Sequence, residues 1–423
     1  MMKVLELRTA SLLVGLAVIV ALIFIWQGNA YALRMLAEAG CLAIVALGLN
    51  VQWGYAGLFN AGIMGFIAIA AFGSMLISYP VNPVFWQSEA PGWLLRMALI
   101  IAIGGAVTVL LSRIDRYGVP RRIRTMLTII AALATYMMAQ NALTPAAAII
   151  EQNSGFIGGF GLPVGLGWLV GGVFAAVLAW FIGRITLGLR SDYLAIATLG
   201  IAEIVKAFLK NADWLTRGTL TVSPLPWPVP TPNEIGFVVA RAAYLSITAV
   251  LIVIIYVLLQ RGWASPWGRM MRAIRDNELA AESVGKNVNR RLLEMFVIGN
   301  FIVGVGGAAL ITFGGIFDPS GFLPINHTFL VLIMVVLGGS GNNLGSIFGA
   351  LLVYVIWTMS EPAALILFRY GADWLQNVFN IAPPDDLATR ALQMRVFVIG
   401  LTIILVLRFA PKGLLPEKIV KYE

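Results

Sequence analysis

The sequence has few of the residues on which soluble enzymes and secreted proteins depend. Among its 423 residues there is one cysteine, Cys41, and one histidine, His327. A lone cysteine excludes an internal disulfide framework. A lone histidine leaves little from which to build a His-based metal site or a Ser-His-Asp triad, so we expect no catalytic residue, no metal and no enzyme activity. Charged residues make up only 12% of the chain, against roughly 25% in a soluble domain.

Apolar residues take the place of those charges. They make up 60% of the chain, and the mean hydropathy is +0.89. Many fall in runs of about 20 residues, the length of helix that crosses ~30 Å of hydrocarbon. The sequence therefore predicts an all-α polytopic transmembrane bundle, a single domain over residues 1–423. About ten spans are expected, at Thr9–Gln27, Ala32–Asn50, Ala56–Ser78, Gly92–Ser112, Leu127–Ile149, Gly165–Gly183, Asp192–Leu209, Arg241–Leu259, Leu292–Gly315 and Ala391–Leu407.

One further apolar run, Thr328–Met359, is long enough for more than one crossing. Its middle contains four glycines, which favour a turn over a continuous helix: Gly338, Gly339, Gly341 and Gly345. We predict two short helices that form a hairpin and return to the side from which they came. The glycines then serve close helix packing, although contact with a ligand is the alternative. The stretch Gly338–Ser346 lacks the lysine of a phosphate-binding loop, so nucleotide binding is not expected.

The net charge of +9 does not indicate nucleic acid, because the basic residues are sorted by side. With the N-terminus inside, the inner segments hold twenty Lys and Arg residues and the outer segments hold three. Lys and Arg are retained on the cytoplasmic side of a membrane. Both termini and the loop 260–291 are therefore predicted to be cytoplasmic. The proline-rich loop 211–240 is predicted to be periplasmic and stiff, since proline fixes φ.

Polar side chains inside the predicted spans need partners, because a charge at that depth costs several kcal/mol. Glu203, Lys206 and Lys210 are spaced three and four apart and share one helix face. A neutralising pair with snorkelling lysines is favoured over a role in a transport path. The other polar groups at this depth are Glu38, Glu294, Asn50, Asn60 and Asn300.

The loop 260–291 contains the pattern of a short helix. Asp276 is a candidate N-cap, Glu278 suits the dipole of the first turn and Gly285 is a natural stop, which predicts a helix over Asn277–Val284. Two turns are unstable alone in water, so this helix requires something to pack against. A protein partner is favoured over anionic lipid, because Leu279 and its neighbours offer little apolar area for insertion.

Five stretches of the chain together resemble the LivM-type permeases, the branched-chain amino acid subunits of ABC importers. The resemblance covers roughly residues 36–80 and 165–420. It is carried by GLNVQWGYAGLFNAGIMGFIAIAAFGSML at 48–76, LRSDYLAIATLGIAEIVKAFLKNADWLTRG at 189–218, the loop 260–291 with LLEMFVIGNFIVGVGGAAL after it, LVLIMVVLGGSGNNLGSIFGALL at 330–352 and RFAPKGLLPEK at 408–418. The insert Arg113–Arg124 with the Leu127–Ile149 span, and the loop Glu361–Arg390, depart from the family's pattern.

The resemblance implies the fold of type II ABC importer permeases in the inner membrane, in contact with membrane lipid. It also implies a homologous second permease, two cytoplasmic ATPases that bind the ATP, and a periplasmic solute-binding protein. The short helix would couple to an ATPase through Asp276, Glu278, Leu279, Ala280, Ala281, Glu282 and Gly285. The candidates for a translocation path are Asn60, Gly338, Gly339, Gly341, Asn342 and Gly345.

Several functions remain open at this stage. The implied cargo is leucine, isoleucine or valine, while urea or a short amide is the alternative within the same family. An ion-coupled secondary transporter would use Glu203, Glu38 and the asparagine residues as its ion site and would show inverted halves. A membrane scaffold that transports nothing would use the loops as docking surfaces only. The chain shows neither clear inverted similarity nor a carboxylate-rich midplane, so the importer is favoured.

Overall fold

The computed structural model describes residues 2–113, 120–188, 191–379 and 386–417. Within them the chain folds into seventeen α-helices: α1 (Met2–Gln27), α2 (Asn29–Asn50), α3 (Ile63–Ser78), α4 (Pro83–Gln87), α5 (Ala90–Ser112), α6 (Arg121–Asn153), α7 (Val164–Thr186), α8 (Ser191–Asn211), α9 (Asp213–Thr216), α10 (Pro232–Ile235), α11 (Phe237–Ala264), α12 (Pro266–Asp276), α13 (Glu278–Ser283), α14 (Val288–Gly314), α15 (Leu330–Gly338), α16 (Asn343–Phe379) and α17 (Leu387–Phe409). The charged positions Arg116, Arg190, Lys418 and Lys421 lie outside the described residues.

Nine of the described helices are long and apolar enough to cross a membrane. They are α1, α2, α5, α6, α7, α11, α14, α16 and α17. Shorter apolar helices occupy Ile63–Ser78 and Ile325–Gly338, and α8 has the length of a span but a more polar sequence. The prediction of an all-α polytopic membrane bundle is therefore confirmed.

The centre of the bundle consists of α2, α3, α7 and α14. Glycines bring these helices to backbone contact. A Cβ built on Gly48 of α2 would lie 2.6 Å from the carbonyl oxygen of Gly299 on α14, and one on Gly306 would lie 2.8 Å from the amide nitrogen of Val45. Small residues are the usual means by which membrane helices pack, since lipid provides no hydrophobic drive for their association.

The predicted span Ala56–Ser78 is only partly helical. After α2 the chain makes a π-helical turn at Val51–Tyr55, then runs without helix through residues 57–62 and resumes at Ile63. Gly57 adopts a φ of +70°, which disfavours any residue with a Cβ and ends the helix there. The segment 51–62, which we call the break, therefore interrupts the bundle inside its core.

The glycine-rich run forms a hairpin of helices, as predicted, but its second arm is not short. The helix α15 has 9 residues, whereas α16 has 37, or about 55 Å at 1.5 Å per residue. The two arms touch at their glycines, because a Cβ on Gly349 would lie 2.0 Å from the carbonyl oxygen of Met334. The predicted outer loop Glu361–Arg390 is helical as far as Phe379, since no strong helix terminator occurs there and Pro362 is accommodated within the helix.

Four of the loops that the charge pattern placed on the outer side lie together. At one end, an isolated β-bridge joins Val81 to Gly158, another joins Val222 to Phe317, and the amide of Ile157 donates to the carbonyl of Trp214. We call this the proline end, after the loop Leu215–Gly236. The other end carries the segment 260–291, the hairpin turn and residues 410–417, and we call it the basic end.

Candidate translocation and coupling site

A buried cluster of amide side chains lies at the break. Asn60 donates through Nδ2 to Gln52 Oε1 at 2.8 Å and to Asn300 Oδ1 at 3.3 Å, and its own Oδ1 accepts from the amide of Gly62 at 2.9 Å. Asn300 in turn donates to the carbonyl of Phe296 at 2.9 Å. Asn60 and Asn300 have no exposed surface. In this conformation the candidate path residue Asn60 therefore braces the break and does not border an open channel.

Threonine hydroxyl groups from other parts of the chain accept hydrogen bonds from backbone amides at the start of α3. The amide of Ala61 donates to Thr198 Oγ1 of α8 at 3.1 Å, and the amide of Met64 donates to Thr328 Oγ1 at 3.1 Å. The first amides of any helix lack partners within it, and inside a membrane water cannot replace them. Sequence reasoning missed Gln52, Thr198 and Thr328, because their partners lie elsewhere in the chain.

The hairpin turn is joined to the end of α2. The amide of Gly341 donates to Asn50 Oδ1 at 2.8 Å, and Asn50 Nδ2 donates to Asn343 Oδ1 at 3.0 Å. Gly341 has a φ of +85°, and a Cβ on Gly54 would lie 2.3 Å from the Gly341 nitrogen. Both positions therefore require glycine, so that two backbones can meet.

The glycines predicted to line a path are mostly packed. A Cβ on Gly338 would lie 2.0 Å from the carbonyl oxygen of Gly345, and one on Gly339 would lie 2.4 Å from that of Leu415. The turn itself borders a cavity. There Gly341 and Asn342 line a cavity of about 460 Å³ at the basic end, together with Tyr55, Gln260, Arg272 and Glu417.

Two helices, not one, form the structured part of the loop 260–291. The unpredicted helix α12 is amphipathic and buries Gly268, Met271 and Ile274 against the bundle. The start of α12 is bonded to α14, because Trp267 Nε1 donates to Glu294 at 3.4 Å. Glu294 also accepts a hydrogen bond from Arg291 Nη1 of its own helix at 2.8 Å. The helix α13 follows directly and lies at the edge of the bundle, beside α12.

The predicted N-cap of α13 is wrong by one residue. Asp276 ends α12, and the cap is Asn277, which has extended φ and ψ angles of −158° and 101° and accepts the amide of Ala280 through Oδ1 at 3.0 Å. The predicted stop is confirmed. Gly285 has a φ of +77°, and its amide and that of Lys286 donate to the carbonyls of Glu282 and Ala281, which is the Schellman arrangement.

The exposed face of α13 is available to a partner. Leu279 is 76% exposed while Ala281 is 5% exposed and packs inward. Glu278, Ala280 and Glu282 are also exposed. The short capped helix thus presents an exposed leucine beside two exposed carboxylates, those of Glu278 and Glu282.

The helix α8 exposes charged residues among apolar ones. Ile196, Gly200, Glu203, Ala207 and Lys210 are exposed and recur at spacings of four and three, so they form one stripe along the helix. Large apolar residues of α8 are exposed as well: Tyr193, Ile204 and Phe208. Among the described residues no ion pair joins Glu203 to Lys206 or Lys210, and the predicted neutralising pair is therefore wrong. The middle of α11 exposes apolar residues without such charges: Val250, Val253, Ile254, Val257 and Leu258.

Comparison with known proteins gives the family. The family described as branched-chain amino acid transport system / permease component matches residues 31–164 and 129–407. The probable branched-chain amino acid transport permease protein LivM of Methanocaldococcus jannaschii is 23% identical over 403 residues, 95% of this chain and 94% of that protein. The high-affinity branched-chain amino acid transport system permease protein LivM of Escherichia coli is 31% identical over 206 residues, 44% of this chain and 48% of that protein.

A third relative is named for a different cargo. The fructose import permease protein FrcC of Rhizobium meliloti is 29% identical over 149 residues, 31% of this chain and 41% of that protein. No solved structure matches the chain. The family match covers most of the chain and agrees with the helical membrane bundle. The chain therefore belongs to the family of branched-chain amino acid transport system permease components and is an ABC importer permease subunit.

Proposed function

We propose that this chain carries branched-chain amino acids across the inner membrane, in a complex with a homologous second permease, two cytoplasmic ATPases and a periplasmic binding protein. The observation that carries the proposal is the exposed, capped helix α13 at the basic end of a chain that belongs to this permease family. The chain itself is not an enzyme in this proposal, and ATP is bound and hydrolysed by the partners.

The basic end faces the cytoplasm in this proposal, and both termini lie there. The segments predicted to be inner hold twenty Lys and Arg residues and the outer segments hold three, which supports this orientation. The grouping of loops with few basic residues at the proline end supports it as well. The proline end then faces the binding protein, which delivers the substrate.

The helix α13 couples the chain to an ATPase. Leu279 and Ala280 enter a groove as apolar contacts, while Glu278 and Glu282 pair with basic groups on its rim. Ala281 supports the coupling indirectly, because it is buried and packs α13 against this chain's own bundle. Coupling requires that the ATPase hold α13 differently in its two nucleotide states, because a partner shifts a conformational equilibrium only by its differential affinity.

The translocation path runs along the exposed stripe of α8, between this chain and the second permease. Glu203 would cost several kcal/mol against lipid, so the stripe meets water or protein. Thr198 connects α8 to the break, and the amide cluster around Asn60 holds the break in place. The hairpin turn from Gly338 to Gly345 then supports the path at its cytoplasmic end.

Uptake into vesicles tests the proposed cargo. Vesicles that contain the assembled complex and the binding protein are supplied with labelled leucine, fructose or urea, with and without ATP. We expect ATP-dependent leucine uptake in which isoleucine and valine compete. Preferential uptake of urea or fructose would show that the cargo is wrong, and uptake driven by an ion gradient without ATP would show a secondary transporter instead.

A further inference from the structure

The last described residues, 410–417, form a strap across the turn of the hairpin. The amides of Leu414 and Leu415 donate to the carbonyls of Leu337 and Gly338, at 2.8 and 2.9 Å. These carbonyls end α15 and have no partner within it. Asn342 Nδ2 donates to the carbonyl of Leu415 at 3.0 Å, and the Leu415 side chain is buried. The strap therefore supplies the hydrogen-bond partners that the turn of the hairpin lacks within its own helices.

The strap ends in an ion pair with the loop that carries α13. Glu417 Oε2 accepts from Arg275 Nη1 at 2.9 Å, and the same nitrogen donates to the carbonyl of Gly54 at 2.7 Å. The two side chains are only 23% and 19% exposed. One guanidinium thus joins α12, the break and the strap. Gly341 leaves room for this contact, because a Cβ there would lie 2.8 Å from Glu417 Oε2.

Arg275 lies close to the start of α13, so a movement of α13 would displace it directly. It is the last residue but one of α12, and Asn277, two residues on, caps α13. At its other contact, Gly54 begins the stretch that leads within six residues to Asn60. The path from α13 to the amide cluster is therefore short. It runs along the chain to Arg275, crosses to the carbonyl of Gly54 through a charge-assisted hydrogen bond, which is the strong class, and follows the break to Asn60.

We propose that Arg275 and Glu417 are positioning residues that transmit the movement of α13 to the break, and that the strap 410–417 holds the resting arrangement. The inference rests on the proposed function, in which an ATPase moves α13. When α13 moves, Arg275 must carry Gly54 and Glu417 with it or release them, and either event alters the contacts that hold the break in place.

The test uses the assembled complex in proteoliposomes and measures the amount of amino acid imported per ATP hydrolysed. The variants are Glu417→Gln, Arg275→Gln and Arg275→Lys. Arg290→Gln is the matched control, since Arg290 belongs to the same segment but is an exposed arginine that, among the described residues, pairs with Glu294 of its own helix. Melting temperature and co-purification of the ATPase are measured for each.

We expect Arg275→Gln and Glu417→Gln to lower the import per ATP by roughly fivefold or more, the lower range of allosteric coupling. The ATPase should still co-purify and hydrolyse ATP. Arg275→Lys should fall between Arg275→Gln and the parent, because an ammonium keeps the charge but not the planar fork. The control should match the parent.

Three results would overturn the inference. An unchanged import per ATP in both neutral variants would remove the linkage and leave the proposed function standing. Failure of both neutral variants and of Arg275→Lys to assemble would make the pair a structural contact only. Absence of ATP-dependent import by the parent complex would instead overturn the proposed function, and the inference with it.

Discussion

Replacing Leu279 by serine isolates the contact between α13 and its partner. Leu279 is 76% exposed in this chain, so its removal should change the stability of the bundle by less than about 0.5 kcal/mol, as for an ordinary surface substitution. If a groove on an ATPase buries this leucine, the substitution should weaken binding by about 1.5–3 kcal/mol, the value of burying such a side chain. That loss corresponds to roughly a 10- to 150-fold weaker complex.

The affinity is measured by titrating the detergent-solubilised permease with labelled ATPase. Ile316→Ser is the matched control, because Ile316 is also an exposed apolar residue but lies at the proline end. The control should bind as the parent does. Equal affinity of Leu279→Ser and the parent would refute the docking of α13, and an equal loss in Ile316→Ser would show a general effect of removing surface apolar groups.

Three further predictions concern α13, the hairpin and the break. Ala281→Pro removes the hydrogen bond from the Ala281 amide to the carbonyl of Asn277 at a cost of about 3 kcal/mol, so substrate-stimulated ATP hydrolysis should be lost; parental hydrolysis would contradict this. Gly341→Leu should reduce uptake while the ATPase remains bound, because its φ of +85° and the nearby Glu417 exclude a side chain; unchanged uptake would remove the turn from the mechanism. Asn60→Ala leaves Gln52 and the Gly62 amide without their partner and should lower the unfolding free energy by about 1–3 kcal/mol; an unchanged melting temperature would show that the cluster does not brace the break.

The sequence predicted the elements of this site better than their connections. The glycine-rich turn and the stop at Gly285 follow from local preferences, and both are present. The adjacent cap-forming residues Asp276 and Asn277 could not be ranked, because the choice depends on which residue takes the extended conformation. The second arm of the hairpin was predicted too short, since helix ends in an apolar run have no sharp signal without a terminator.

Long-range partners lay beyond sequence reasoning. That Asn50, Asn60 and Asn300 need partners follows from their depth, but Asn60 meets Asn300 across 240 residues. Arg275 meets Glu417 across 142 residues, and neither residue stands out from its many charged neighbours. Such pairs result from the packing of α2, α14 and the hairpin, which no local pattern records.

The most direct test of the central claim is leucine uptake into proteoliposomes that contain the complete complex, with ATP on the side of the basic end. Ionophores abolish any ion gradient, and orthovanadate blocks hydrolysis by the ATPases. The account predicts leucine accumulation that survives the ionophores and stops with orthovanadate. Accumulation that stops with the ionophores and survives orthovanadate would contradict it.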